Sequence, residues 1–75
     1  MANGSLQSRY FDLLLEKVEE ANYPSHEMMN RVERTLADRE QVANYVEVLL
    51  GKVEETRYPS LQMLDRIDNL VRYTG

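Results

Sequence analysis

Apolar positions along this chain recur with the period of a helix, and they do so in four separate stretches. Leu6, Tyr10, Leu13, Leu14, Val18 and Ala21 follow the i, i+3/i+4 spacing of one helix face. Phe11 and Leu15 widen that stripe to roughly half the circumference at 100° per residue. Met28, Met29, Val32 and Leu36 form a second, shorter stripe. Tyr45, Val46, Val48, Leu49, Leu50 and Val53 form a third, and Met63, Leu64, Ile67, Leu70 and Val71 a fourth. The pattern predicts helices near 5–21, 25–36, 39–56 and 60–73. A stripe as wide as the first is more than one neighbour covers, so contact with at least two other helices is expected.

The breaks between stripes have local causes. Proline disfavours helical geometry in the residue before it, here Tyr23 before Pro24 and Tyr58 before Pro59. Ser25 and Ser60 then stand as N-caps, each offering a hydroxyl oxygen to the free N–H groups of the next helix. Glu27 falls in that first turn, where the helix dipole favours an acid. Tyr23 and Tyr58 are expected to fold back on Met29 and Leu64 as hydrophobic staples. No Gly or Pro separates Leu36 from Val42. There the expected break rests on Asp38 as a cap with Gln41 reaching back to it. It rests also on a phase jump of about 100° between the flanking stripes.

The four stretches are two copies of one. Residues 10–36 and 45–71 align without a gap at a spacing of 35, and twelve of the 27 aligned pairs are identical. A fixed period of this length means one supersecondary unit used in tandem. The expected fold is all-α: a tandem duplicated helical hairpin closing into a compact pseudo-twofold four-helix domain that spans residues 1–75. Short connections favour antiparallel neighbours. A superhelical stack is the alternative arrangement. The period resembles that of tetratricopeptide arrays, but the glycine, alanine and aromatic positions of that pattern are absent.

Composition narrows the function classes. Seventy-five residues bury only about 60% of their unfolded surface, so the core is marginal unless a partner adds to it. Without cysteine there are no disulfides and no thiolate metal site. Thirteen acids against nine bases give a net charge of −4, with the signs interspersed. Nucleic acid and anionic membrane surfaces are therefore not expected partners, because both call for a concentrated basic face. No apolar run approaches a membrane span. Met1-Ala2-Asn3-Gly4-Ser5 does not read as a secretory leader, so a cytoplasmic setting is expected.

Candidate chemistry is sparse. His26 opens His26-Glu27-Met28-Met29-Asn30, where Asn30 replaces the second imidazole of a zinc-protease motif. The acidic pairs Glu19-Glu20 and Glu54-Glu55 recur, but helix neighbours point about 100° apart and read as a solvated face. They have partners within reach, such as Lys17 for Glu20 and Arg31 for Glu27. Arg31 and Arg66 are expected to tie their own hairpins, for example to a glutamate of the preceding helix. Tyr10 and Tyr45 fall on the core stripe, and Met28, Met29 and Met63 read as core filling. No catalytic, cofactor or metal residue is assigned. The differences between copies are the better functional clue. Gly51 stands for Glu16, Leu61 for His26, Leu70 for Thr35 and Tyr73 for Asp38. Gly51, Leu61, Leu70 and Tyr73 are the candidate interface, with Gly51 allowing close backbone approach. The expected function is a small non-enzymatic protein–protein interaction module, an adaptor or regulatory subunit, engaging a protein partner and self-associating as a homodimer. The alternatives are a small acidic metal-binding helical protein and an acidic nucleic-acid-mimicking inhibitor.

Overall fold

A computed structural model describes residues 5–73; all but Ser5 of the leader reading at Met1–Ser5 lies outside them, as do Thr74 and Gly75. Among the described residues there are four helices and no strand: α1 (Leu6–Glu20), α2 (His26–Thr35), α3 (Arg39–Glu55) and α4 (Leu61–Val71). The chain divides into two compact units, the first ending at Leu36 and the second starting at Ala37. In the first, α1 packs on α2; in the second, α3 packs on α4.

Each helix starts where a side-chain oxygen satisfies a free backbone donor. The Ser5 hydroxyl accepts from the Ser8 N–H at 3.0 Å. Ser25 accepts from Met28 at 3.1 Å, and Ser60 from Met63 at 3.1 Å. Asp38 Oδ1 accepts from the Gln41 N–H at 2.8 Å. Gln41 Oε1 reaches back, but to the N–H of Ala37 at 2.9 Å rather than to that of the cap residue itself. The break between α2 and α3 is therefore held by a reciprocal pair one residue wider than the usual box. The continuous central helix that the Gly- and Pro-free join left open does not form.

The helices end without any left-handed residue; no described residue has positive φ. Ala21, Leu36 and Thr56 instead leave the helix in extended geometry. Two threonines help to close the last turns. Thr35 Oγ1 donates to the Val32 carbonyl at 2.8 Å, and Thr56 Oγ1 to that of Lys52 at 2.8 Å. Within the first unit the Gln7 side-chain amide donates to the Thr35 carbonyl, joining the start of α1 to the end of α2.

The core of the first unit is Phe11, Leu14 and Val18 from α1 with Met29 and Val32 from α2. In the second unit Tyr45, Val46 and Leu49 of α3 and Ile67 of α4 are buried. Apart from the phenol of Tyr45, no polar or charged side chain is buried among the described residues. Burial of each large apolar side chain contributes about 1.5–3 kcal/mol, and these few residues carry the fold.

Loss of a cap or of a central apolar side chain is then measurable. Ser25→Ala and Ser60→Ala should each cost about 1 kcal/mol, read as a drop of roughly 4–8 °C in melting temperature. Leu49→Ala should cost about 2–5 kcal/mol. Cap variants that melt like the parent would show that the turns are held by something other than the serines.

Candidate interaction surface

The turns before α2 and α4 present the most exposed aromatic side chains among the described residues. Tyr23 and Tyr58 are 89% and 84% exposed. The expected staples onto Met29 and Leu64 are therefore not formed. Each proline breaks the helix and each serine starts the next one, but the tyrosine between Asn22 or Arg57 and the proline is directed into solvent. Pro24 and Pro59 are half-buried.

The candidate interface residues lie in different surroundings. Leu61 is exposed in the first turn of α4, three residues from Tyr58. Leu70 is half-buried. Nine residues separate Leu61 from Leu70, which is about 180° around the helix at 100° per residue, so the two do not share a face of α4. Tyr73 is exposed in the turn after α4, where its N–H donates to the Leu70 carbonyl at 3.0 Å. Gly51 lies two residues from the buried Leu49, about 200° around α3, on the side opposite the core. A Cβ built on Gly51 meets nothing within 4 Å. No described residue thus makes the expected close backbone approach.

The charged candidates are surface groups. Glu19, Glu20, Glu54, Glu55 and His26 are all exposed. Lys17 pairs with Glu20 at 3.9 Å along α1. Arg31 pairs with Glu27 at 3.6 Å on its own helix, not across to the preceding one. Exposed pairs of this kind contribute little, about 0–1 kcal/mol. Among the described residues no three of His, Asp and Glu gather where they would hold a metal ion. No helix of the described residues is long and apolar enough to cross a membrane. Met29 is buried, and Met28 and Met63 are half-buried.

One surface was not singled out from the sequence. On α1, Leu6, Tyr10 and Leu13 are 78%, 44% and 50% exposed. Spaced four and then three residues apart, they fall within about 60° of arc, one edge of the apolar stripe. The other edge, Phe11, Leu14 and Val18, is the part buried in the unit. The alternating spacing continues through Lys17 and Glu20. That four-three alternation is the spacing of a helix–helix seam, and it was the signal available. Tyr10, placed on the core stripe from its sequence position, belongs to the bare edge. Comparison of the chain with protein-family models, curated proteins and solved structures finds no match.

Three substitutions separate these roles. Tyr23→Ala and Tyr58→Ala should change stability by less than about 0.5 kcal/mol, as solvated side chains do. Gly51→Ala should raise stability by about 0.5–1 kcal/mol, because it restores helix propensity in open space. A destabilising Gly51→Ala, followed by thermal melting, would contradict the open surroundings of that position.

Proposed function

We propose that this protein is a non-enzymatic interaction module, built from a duplicated helical hairpin, that binds a protein helix along the bare edge of α1 and self-associates. The observation that carries this reading is the row Leu6, Tyr10 and Leu13, three large apolar side chains left in solvent on one edge of a 15-residue helix. Their exposure has a cost in water that contact with another apolar surface removes. Tyrosine at the centre of such a row favours protein contact, since it buries large area with few rotamers to freeze. The surrounding surface carries charges of both signs, which suits a polar rim. Tyr58 and Leu61, exposed together at the turn before α4, offer a second and smaller apolar contact.

A row of three side chains gives an interface below the ~1,200 Å² of a stable complex, so the association belongs to the weak class. Sedimentation equilibrium from about ten micromolar to about one millimolar spans the affinities such a contact supports. The full chain should rise above its 8.8 kDa monomer mass within that span. Leu13→Glu should hold the chain at the monomer mass with an unchanged melting temperature, because Leu13 is outside the core. Association of the variant equal to that of the parent would remove α1 from the function.

A further inference from the structure

We propose that the occupant of this edge is α1 of a second copy, packed antiparallel, with Arg9 of each copy paired to Glu16 of the other. The proposal rests on the interaction reading above and adds the partner, the direction and the register.

The argument begins with the two copies of the seam inside one chain. Residues 6, 10, 13, 17 and 20 of α1 correspond to 41, 45, 48, 52 and 55 of α3 at the 35-residue spacing, and Tyr, Lys and Glu are identical at three of the five. Their surroundings are opposite. Tyr45 is fully buried and Val48 and Lys52 are half-buried, whereas Tyr10, Leu13 and Lys17 are exposed. The seam sequence is therefore one that accepts cover, and on α1 it has none.

The residues flanking the seam differ as a pair. Arg9 and Glu16 run along the solvent flank of the α1 seam, seven residues apart, and both are exposed. Their counterparts on α3 are Asn44 and Gly51. Both charges are present beside the bare seam, and both are missing beside the covered one. With Leu6 and Leu13 at one seam position of the heptad and Tyr10 and Lys17 at the other, Arg9 and Glu16 occupy the same flanking position, one heptad apart.

That placement selects a direction. In a parallel pair this flank faces the opposite flank of the partner helix, where Gln7 and Leu14 stand, and neither charge finds its complement. In an antiparallel pair the same flank of each helix meets the other. Setting Tyr10 over Leu13 of the second copy also sets Leu13 over its Tyr10. The Lys17 stem then lies along Leu6 of the second copy with its ammonium in water. In this register Arg9 and Glu16 of opposite copies are offset by only two residues, about 3 Å along the axis, within reach of both side chains. The arrangement is isologous, so the charge pair forms twice.

Charge reversal in the full chain tests it. Arg9→Glu and Glu16→Arg should each weaken self-association about tenfold, since each turns two attractive pairs into two repulsive ones. The double variant should recover the parent affinity. An equimolar mixture of the two single variants should associate more strongly than either alone. Melting temperatures of all variants should match the parent, because both positions are exposed. Single variants that associate like the parent, while Leu13→Glu stays monomeric, would overturn this pairing and leave the interaction reading standing. A parent chain at its monomer mass across the whole concentration range would overturn both.

Discussion

A helix in a two-helix unit has one neighbour, and one neighbour covers only part of an apolar stripe that spans half the circumference. Everything else in this molecule follows from that mismatch. On α1 the covered part is Phe11, Leu14 and Val18, and the remainder is Leu6, Tyr10 and Leu13. Burial of the first three holds the unit together. Exposure of the second three stores unspent apolar area, which water disfavours at about 25 cal/mol per Å². The same residues that exceed the needs of the fold are those available for contact.

The helix boundaries were largely legible in the sequence because their causes are local. Pro24 and Pro59 act on the residue before them, and Ser25, Asp38 and Ser60 act on an N–H three residues ahead. None of this depends on where a distant segment packs. The same holds for the pairs Lys17–Glu20 and Glu27–Arg31, whose spacing fixes their proximity once a helix exists. Even the reach of Gln41 was legible in kind. Only its donor partner, the N–H of Ala37 in place of that of Asp38, depended on the path of the preceding turn.

Burial was less legible, and for a physical reason. Periodicity says that a side chain lies on an apolar face; it does not say whether anything covers that face. Tyr10 and Tyr45 are identical residues at equivalent positions with opposite exposure. Tyr23 and Tyr58 sit where a staple would form, but the direction of the ring follows the chain path into the proline, which no spacing rule encodes. Gly51 showed the converse. A missing side chain was read as room for a neighbour, and the structure leaves open space there. Leu61 and Leu70 both differ from their counterparts yet lie on opposite sides of α4, because a change of residue type along the chain does not encode a shared direction.

Differences between the copies regain meaning once burial is known. Residues identical at the 35-residue spacing, such as the Pro24/Pro59 and Ser25/Ser60 turns, serve the same local role within each unit, so they say little about contacts outside it. A difference is informative when it tracks a difference in exposure, and the exchange of Arg9 and Glu16 for Asn44 and Gly51 does so at two positions together. Opposite charges seven residues apart on one flank are self-complementary in an antiparallel pair, whose twofold axis runs across the helices, and not in a parallel pair, where that flank meets the opposite one. An isologous contact also closes on itself: it consumes the seam of both copies and exposes no second one for growth. Tyr58 and Leu61 lie outside that seam, so the proposed pairing of α1 would leave both of them exposed.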